Sequence, residues 1–560
     1  MEKARVICPL CGDAVDRLVY RFHYDNETTV IAKIKAEFPE WTKNDGLCAR
    51  CLDFFHTEIV MEQRIFPSVG PHFPIKTTDD FLVIPTGLRV NADPHFTGSG
   101  VTICFIDSGF CLHPDLTNAK NRIKKTIDIT NGTEDFQAFT KAENISSASW
   151  HGTMTSVVCA GDGYLSNGLY KGIASNAELV LLKVMNQEGH VTTENICKAL
   201  RWILKNHNNY DIRIVNISLS DDITGSYKQS EVDNLCEQLI DEGITIVAAV
   251  GNDQNGTITP PANAPNVIAV GGVDDENILS GPQKLYHSSH GTTVDGLMKP
   301  ELIAHAIWIA APILPNSFEQ KESEILHRLL QAPDEDLINE TRKVQSETKL
   351  DSSVFENIKS DALRHQILTR IRASKYISPH YMHVDGTSFA APIVSALIAQ
   401  LLQIDRSLSP NAIREILFST ARRLNDLPVE RQGFGLIQPR KAVLKILRRG
   451  AATKPEQCPL VNRQKKTIEF FINHDCATQI SLAGSFNRWT EDVLLLEPTA
   501  GGLWSIEIPM LPPGHYQYKF LVDEEKWVED YGNPYREPDG FTGFNSILLV
   551  EQTPNSYETH

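Results

Sequence analysis

Continuous apolar runs of strand length lie in the middle of the chain, and helical patterns lie between and after them. The runs VTICFI at 101–106 and IVAAV at 246–250 each end directly before polar or glycine residues. Apolar runs of about four to eight residues are typical of strands that are buried on both faces. The stretches MTSVVCA at 154–160 and IVSALIAQLL at 393–402 predict buried helices.

The hydrophobic period changes towards the C-terminus. Residues 467–550 alternate apolar and polar side chains in segments that are separated by turn residues. A period of two is typical of strands with one buried face, so this region predicts an all-β module. A proline-containing, basic linker at 451–466 precedes it. The predicted strands are 467–472, 479–483, 503–508, 516–522 and 546–550.

Three polar residues lie in contexts that suit the three roles of nucleophilic catalysis by serine. Asp107 follows a predicted strand, His151 opens a predicted helix, and Ser388 stands in GTSFAAP directly before another helix. A serine hydroxyl is a poor nucleophile until a base takes its proton, and the base needs a fixed tautomer. Taken singly, each residue also fits a structural role, as a helix cap or a satisfied core histidine. Together and in this order, they favour an Asp-His-Ser triad.

These segments resemble those of the subtilisin-like serine proteases, whose chain order is also Asp, His, Ser. The resemblance implies an α/β peptidase domain with a parallel sheet, which we predict for residues 96–450. IVAAVGN at 246–252 is similar to the family's strand that bears the oxyanion-hole asparagine. An amide donor of this kind is commonly worth about 2.7 to 4 kcal/mol of transition-state stabilisation. The resemblance therefore implies catalytic roles for Asp107, His151, Ser388 and Asn252.

The same resemblance implies two walls of a substrate groove. One wall has side chains where the family often has glycines, and the other has small residues that leave space for a substrate side chain. The walls comprise Ser218, Leu219, Ser220 and Asp221 on one side and Ala249 and Gly251 on the other. Asp221 has two interpretations. It favours a basic substrate residue by charge complementarity, or it belongs to a solvated turn after the strand.

A long segment at 315–379 separates the predicted core strands from Ser388. It is charged, and Ile325, Leu329 and Leu330 follow the three-to-four spacing of an amphipathic helix. One interpretation is an appended pair of surface helices. The other is a lid or docking arm beside the active site, because the segment ends nine residues before Ser388.

Two Cys-x-x-Cys pairs near the N-terminus differ in spacing from the other cysteines. The pairs are Cys8 with Cys11 and Cys48 with Cys51. Four thiolates so arranged are typical of structural zinc, with a redox pair or unpaired thiols as the alternatives. We predict a zinc-ribbon-like module at 1–60 and a linker at 61–95. The zinc module and the 315–379 segment are candidate sites for a protein partner.

The C-terminal module contains AGSFNRW at 483–489, PGHYQYKF at 513–520, Trp527 and Asn545. This set of sequence motifs resembles the glycogen-binding module of the AMP-activated kinase β subunit. The resemblance implies a β-sandwich at 467–552 in which two tryptophans stack on glucose rings while a lysine and an asparagine bond their hydroxyl groups. These roles fall on Trp489, Trp527, Lys519 and Asn545. The alternative is a sandwich that packs against the peptidase domain or another protein.

Composition limits the remaining possibilities. The chain has 560 residues, enough for more than one domain, and a formal net charge of −17, which argues against a nucleic-acid partner. The N-terminus lacks the apolar run of a signal peptide, and we expect no stretch of transmembrane length. We therefore predict a cytoplasmic protein with no membrane partner. The cysteines of the predicted peptidase segments are expected to be reduced thiols: Cys104, Cys111, Cys159, Cys197 and Cys236. Calcium is compatible with the family resemblance, without ligands that can be assigned.

Two functions from different classes fit these features. The first is a serine endopeptidase that carries a zinc module and acts on proteins at glycogen or another α-glucan. The second is a non-proteolytic scaffold that uses the same fold to bind peptides. The combination of Asp107, His151, Asn252 and Ser388 favours the endopeptidase.

Overall fold

The chain divides into two compact units in a computed structural model. The first unit comprises residues 68–440 and 540–543, and the second comprises residues 1–67, 441–539 and 544–560. The structure describes residues 6–10, 14–15, 18, 31–32, 34–36, 38–47, 83–134, 147–220, 224–278, 283–350, 359–425, 427–448, 458–462, 465–474, 477–498 and 502–550.

The predicted parallel sheet of the first unit is confirmed. The parallel strands are β1 (Thr102–Asp107), β2 (Ile123–Asp128), β3 (Glu178–Lys183), β4 (Ile212–Ile217), β5 (Thr245–Ala249), β6 (Ile268–Asp274) and β7 (Leu302–His305). Their order in the sheet is β7-β6-β5-β4-β1-β3-β2, and the short strand Lys284–Leu285 is antiparallel to β6. The direction of winding reverses at β1, and ligands of such sheets bind at the carboxyl ends of strands at this reversal. Asp107 occupies that end of β1.

Helices cover both faces of the sheet. Thr193–Tyr210 and Glu231–Asp241 pack on one face in a core that includes Val215 and Leu239. The other face carries the His151 helix (Ser147–Ala160) and the Ser388 helix (Thr387–Ile404), which contact each other. The Ser388 helix crosses β4 to β7 and also contacts β1. The chain continues through Pro410–Thr420, Val429–Gln432 and Pro439–Arg448.

The Ser388 helix is more apolar than we expected of any stretch in this chain. It is 18 residues long with a mean hydropathy of 1.6, which meets the length and composition of a membrane span. However, 83% of it is buried inside the protein. A helix that is hydrophobic all round is also typical of a protein core, and burial accounts for its composition here.

The helical insertion at 315–379 has a hydrophobic core of its own. The described part contains three α-helices rather than the predicted pair, together with a short 3-10 helix at Gln345–Glu347. The α-helices are Phe318–Gln331, Asp334–Val344 and Ser360–Ala373. Leu326, Leu337 and Leu363 are among the buried residues that they share. The insertion begins and ends at two antiparallel strands, Ile309–Pro312 and Tyr381–Val384, which we name the hairpin arm. The second strand of the arm leads directly to the Ser388 helix, and Tyr376–Ser378 pairs with it.

Residues 83–95 belong to the first unit, although their composition placed them in a linker. Val83 is fully buried, and the short helix Thr86–Arg89 ends in an arginine whose side chain is fully buried. A buried charge requires partners in the surrounding structure, and Asp275 pairs with Arg89. The Gln400 side chain donates to Asp93 O at 2.7 Å. This part of the predicted linker is therefore folded onto the core.

The predicted β-sandwich forms most of the described second unit. One antiparallel sheet contains, in spatial order, Leu460–Asn462, Thr467–Asn473, Leu503–Pro509 and Glu497–Pro498. The other contains Ile480–Gly484, Gly514–Val522, Phe544–Val550 and Arg536–Pro538, and Lys526–Val528 pairs with Gly514–Val522. The sheets share a core that includes Phe470, Tyr518, Phe520 and Leu548. Since Leu460–Asn462 lies within the predicted linker at 451–466, the sandwich begins earlier than expected.

Near the N-terminus, the strands Val6–Ile7 and Ala14–Val15 pair in antiparallel orientation. Cys8 directly follows the first strand and is fully buried. The other predicted zinc ligands, Cys11, Cys48 and Cys51, lie outside the described residues.

Candidate active site

The Asp107 carboxylate is fully buried at the carboxyl end of β1. Its Oδ1 accepts hydrogen bonds from the Ser108 N–H and from His151 Nδ1, both at 2.7 Å. Its Oδ2 accepts a hydrogen bond from the Thr155 hydroxyl at 3.0 Å. Burial of a carboxylate is unfavourable unless donors compensate it, so these contacts fix Asp107 in one position.

The His151 helix approaches β1 closely because Gly152 has no side chain. A Cβ at Gly152 would lie 2.3 Å from the Gly109 carbonyl oxygen and 2.8 Å from the Phe110 ring. The His151 side chain is 27% exposed, which leaves one edge of the ring open to solvent. Its ring centroid lies 5.9 Å from that of Phe389 in the Ser388 helix. The imidazole is therefore placed between the end of β1 and the Ser388 helix.

The contact with Asp107 sets the proton affinity of His151. Burial alone would lower the pKa of the imidazole, but the charge of Asp107 and the hydrogen bond to it outweigh burial and raise the pKa. Because Nδ1 donates to Asp107, the neutral ring carries its lone pair on Nε2. His151 can therefore accept a proton at Nε2 while Asp107 stabilises the imidazolium.

Ser388 lies in the first turn of its helix, where backbone N–H groups lack an intrahelical acceptor. Gly386 precedes the helix with a φ of +136°, a conformation that favours glycine. The Gly386 N–H donates to Ala306 O at 2.7 Å, which joins the turn to the end of β7. Among the described residues, the Ser388 N–H has no acceptor, so it is available to a ligand.

Ser218, which follows β4, is hydrogen-bonded to both the hydroxyl and the backbone carbonyl of Ser388. The Ser218 hydroxyl donates to Ser388 O at 2.9 Å, and the Ser388 hydroxyl donates to Ser218 O at 3.3 Å. The Ser388 carbonyl lacks its usual helical donor because Pro392, four residues on, has no N–H. Ser218 supplies the missing donor.

No hydrogen bond between the Ser388 hydroxyl and His151 occurs in the described part of the chain. Catalytic hydrogen bonds are often long or misaligned in the absence of substrate, and they tighten in the substrate complex. Proton transfer would require the hydroxyl to rotate away from Ser218 O. Rotations of exposed side chains take picoseconds to nanoseconds, so this step is not a kinetic obstacle.

The Asn252 side chain is oriented by Thr387. Its Oδ1 accepts hydrogen bonds from the Thr387 N–H at 2.8 Å and from the Thr387 hydroxyl at 3.0 Å. A backbone N–H can only donate, so the atom facing it must be the amide oxygen. The Asn252 Nδ2 then lies beside Gly386, 3.6 Å from where a Cβ would stand. Within the described residues it has no acceptor, and it is available together with the Ser388 N–H.

The residues predicted to wall the substrate groove follow two neighbouring strands. Ser218 is buried, Leu219 is half-buried and Ser220 is exposed beyond the end of β4, while Asp221 lies outside the described residues. The residues after β4 therefore become more exposed from Ser218 to Ser220, at the same edge of the sheet as Asp107.

The opposite wall begins at the end of β5. Ala249 is buried, and Gly251 has a φ of +107°. A Cβ at Gly251 would lie 2.7 Å from the Ser289 hydroxyl, so no larger residue fits without a shift. The small residues of this wall directly precede Asn252, whose side chain is bonded to Thr387 in the Ser388 turn.

The geometry combines the groups that acyl transfer requires. Ser388 supplies a nucleophile, and His151 supplies a base whose partner Asp107 fixes its tautomer. The Ser388 N–H and Asn252 Nδ2 are two donors for a developing oxyanion. Among the described residues, no three His, Cys, Asp or Glu side chains are arranged to hold a metal ion.

Residues 98–435, more than half of the chain, match the model of the subtilase family. The chain belongs to the subtilase family. This subtilase is 27% identical over 358 residues to serine protease AprX of Bacillus subtilis (strain 168), with 62% of this chain and 67% of AprX covered. It is 31% identical over 183 residues to alkaline elastase YaB of Bacillus sp. (strain YaB), with 32% of this chain and 42% of that protein covered.

A cuticle-degrading serine protease of Arthrobotrys oligospora is 27% identical over 204 residues, with 36% of this subtilase and 44% of that protein covered. The chain thus spans less than half the length of two of these three relatives. Among solved structures, sphericase matches with a TM-score of 0.44 and 20% identity, covering 64% of this subtilase and 98% of sphericase.

Residues 468–556 match the model described as the glycogen recognition site of AMP-activated protein kinase. This subtilase therefore carries a glycogen-recognition domain. Within it, Lys519 and Asn545 lie on the face opposite Tyr518 and Ser546, which pair with each other and are buried. Trp527 pairs with Leu521, which is on the same face as Lys519.

The two predicted stacking residues of this domain meet at an angle. The Trp489 and Trp527 ring centroids lie 6.0 Å apart, and the rings are inclined at 71°. Trp527 is 39% exposed. The structure thus brings Trp489, Trp527, Lys519 and Asn545 to one face of the sandwich.

The predicted hydroxyl-binding groups already have partners in the structure. Lys519 Nζ donates to Asp539 Oδ2 at 2.6 Å, and both side chains are nearly buried. Asn545 Nδ2 donates to Gln517 Oε1 at 3.3 Å. A ligand would therefore meet a preformed set of donors and acceptors in which Asp539 and Gln517 take part.

Two functional contacts were not predicted from the sequence. Thr155 lies four residues after His151, and this spacing places both side chains on one face of a helix, so the pattern could have revealed its contact with Asp107. Thr387 orients Asn252 across 135 positions of sequence. No local pattern indicates that second pairing.

The substitution Asp107→Asn is expected to lower the pKa of His151, because it removes the charge that raises it. In the unaltered protein, the neutral imidazole becomes populated as the pH rises through a pKa above the ordinary histidine value of about 6.5. In Asp107→Asn, the same change occurs at lower pH. Histidine side-chain NMR titration measures both values, with His151→Gln to identify the resonance. An unchanged or higher pKa in Asp107→Asn contradicts this electrostatic account.

Proposed function

We propose that this chain is a serine endopeptidase that hydrolyses peptide bonds in protein substrates. The observation that carries the proposal is the 2.7 Å hydrogen bond between Asp107 and His151, beside the helix turn that bears Ser388. Membership of the subtilase family supports it. Serine protease activity is named for relatives of this chain, and the proposal assigns that activity to the whole chain.

In the proposed mechanism, the Ser388 hydroxyl attacks the peptide carbonyl carbon and transfers its proton to His151 Nε2. The buried Asp107 carboxylate stabilises the imidazolium that forms. His151 then donates the proton to the leaving amine as the C–N bond breaks, and the acyl part of the peptide is left as an ester of Ser388. A water molecule, deprotonated by His151, hydrolyses the ester and releases the acid product.

The charge that develops on the carbonyl oxygen is stabilised by two donors. These are the Ser388 N–H, at the positive end of the helix dipole, and Asn252 Nδ2. Thr387 holds the Asn252 amide from its oxygen side, so its nitrogen needs no reorientation during the reaction. Preorganised donors are effective because they require little rearrangement as charge develops.

We predict that Ser388→Ala removes turnover of an unfolded protein substrate, because no nucleophile remains. A fluorophosphonate probe should label the unaltered protein at Ser388 only, and Ser388→Ala should not be labelled. Persistent turnover in Ser388→Ala contradicts the proposal. No labelling of the unaltered protein favours the scaffold function instead.

The substitution Asn252→Ala is expected to lower turnover by about 100- to 1,000-fold, because the amide donor acts mainly in the transition state. The Michaelis constant should change much less. The matched control is Asn255→Ala, which alters an exposed residue of the same loop. Steady-state kinetics of the three proteins provide the test, and an equal loss in both variants would assign the effect to the loop rather than to the amide.

We further propose that the C-terminal domain brings the peptidase to glycogen or another α-glucan. The angle of 71° between Trp489 and Trp527 supports this ligand class, since successive rings of an α-linked glucan turn relative to one another. Flat glucan chains would fit two coplanar rings better. Lys519, Asp539, Gln517 and Asn545 supply both donors and acceptors for sugar hydroxyl groups.

The substitution Trp527→Ala should weaken binding to soluble glycogen by about tenfold, which corresponds to about 1.4 kcal/mol. The loss of a stacking surface is the physical reason. Tyr164→Ala, which removes an aromatic residue of the first unit that is 50% exposed, should leave binding unchanged. Affinity electrophoresis in gels that contain glycogen measures the difference. Equal mobility of all three proteins would favour a sandwich that serves protein contacts.

We propose that Cys8, Cys11, Cys48 and Cys51 hold a structural zinc ion. The burial of Cys8 at the start of the turn between two paired strands supports a ligand role at that position. Zinc would join the two Cys-x-x-Cys pairs and stabilise the module. The burial of Cys104, Cys111, Cys159 and Cys236, which form no disulfide, supports work in a reducing compartment such as the cytoplasm.

A further inference from the structure

Residues 83–89 precede the core strands. They make two contacts with the part of the chain that lies between β7 and Ser388. Val83 is fully buried in a cluster with Tyr170, Ala310, Ile377 and Tyr381. Ala310 and Tyr381 belong to the two strands of the hairpin arm. One end of the 83–89 segment is therefore packed against the arm that leads to Ser388.

The other end of the segment places the Arg89 guanidinium on the link between β7 and the hairpin arm. Arg89 Nη1 donates to Trp308 O at 2.6 Å, and Nη2 donates to Ile307 O at 2.9 Å. Arg89 Nε donates to Asp275 Oδ2 at 3.0 Å, and Nη2 also donates to Asp275 Oδ1. Four acceptors thus surround one fully buried guanidinium, and a lysine has neither the planar shape nor the donors to replace it.

The backbone that Arg89 holds is strained. Trp308 has a φ of +57°, which is unfavourable for a residue with a bulky side chain. Such conformations persist only where surrounding contacts impose them. Here Arg89 holds the Trp308 carbonyl, and the Trp308 ring packs on His383 of the hairpin arm with a centroid distance of 4.6 Å.

This strained link is next to the residue that positions the Ser388 turn. Ala306, directly before Ile307, accepts the Gly386 N–H at 2.7 Å. Gly386 starts the helix turn that presents the Ser388 hydroxyl and N–H. Asp275 Oδ2, which accepts from Arg89 Nε, also lies 3.2 Å from His305 Nε2, so the end of β7 is tied to the same carboxylate.

We propose that residues 83–89 form a permanent brace of the nucleophile and that Arg89 is a positioning residue for Ser388. The active enzyme must then retain this segment, and any proteolytic removal of N-terminal residues must stop before Val83. The inference rests on the proposed peptidase function. It adds a structural requirement for activity that lies outside the contacts among Asp107, His151 and Ser388.

The test compares Arg89→Met with Arg213→Met in the full chain. Arg213 also donates to backbone carbonyls, to Arg406 O at 2.7 Å and to Leu408 O at 2.8 Å, but it lies near the amino end of β4, away from Ser388. Both variants lose a guanidinium and its carbonyl contacts. Only Arg89→Met should displace the nucleophile.

Four quantities are measured for each variant: the fraction of active sites by fluorophosphonate titration, the turnover per titrated site, the Michaelis constant, and the thermal unfolding midpoint. For Arg89→Met we expect turnover per titrated site to fall by about 10- to 100-fold with a similar Michaelis constant, as for a misplaced catalytic group. For Arg213→Met we expect a lower midpoint with turnover per titrated site within about twofold of the unaltered protein.

The milder variant Arg89→Lys keeps the charge and most of the packing, and it covers the case in which Arg89→Met does not fold. We expect it to show an intermediate loss of turnover per titrated site. Unchanged turnover per titrated site in a folded Arg89 variant overturns the brace while leaving the proposed function intact. Absence of specific labelling in the unaltered protein overturns the proposed function, and the brace with it.

Discussion

Burial of the Asp107 carboxylate is the constraint on which the rest of the active site depends. A carboxylate without solvent contact requires donors from the protein, and here they come from its own turn and from the His151 helix. The helix can reach the end of β1 only because Gly152 leaves space for the Gly109 carbonyl. The position and the tautomer of the imidazole both follow from this one buried charge.

The nucleophile is positioned by a different principle, the unsatisfied backbone groups of a helix terminus. The first turn of the Ser388 helix leaves the Ser388 N–H without an intrahelical acceptor, and Pro392 leaves the Ser388 carbonyl without its helical donor. The N–H is suited to stabilise an oxyanion, and the carbonyl is held by Ser218. The start of one helix therefore supplies a catalytic donor and also anchors Ser388 to Ser218, which directly follows β4.

The sequence was informative where local pattern decides the structure. Apolar runs predicted β1 and β5, and alternation predicted the strands of the sandwich, because burial on two faces or one face leaves a direct signature. It was uninformative where a side chain meets a backbone carbonyl far away in sequence. Ser218 and Ser388 are 170 positions apart, and Arg89 lies 218 positions from Ile307. Every residue type has a backbone carbonyl, so the sequence does not reveal which carbonyl a distant side chain will contact. For this reason, composition placed Arg89 in a linker.

The helical insertion shows why the nucleophile tolerates a long segment so close to it. Lengthening a loop has a small entropic cost, provided that the ends of the loop are held in place. Here Tyr381, at the exit, donates its hydroxyl to buried Asp115, and Lys375 pairs with Asp385 at 2.6 Å. The core of the insertion is separate from that of the sheet. Tyr381 and Asp385 lie between the insertion and Ser388, so helices can be added before them without moving the catalytic turn.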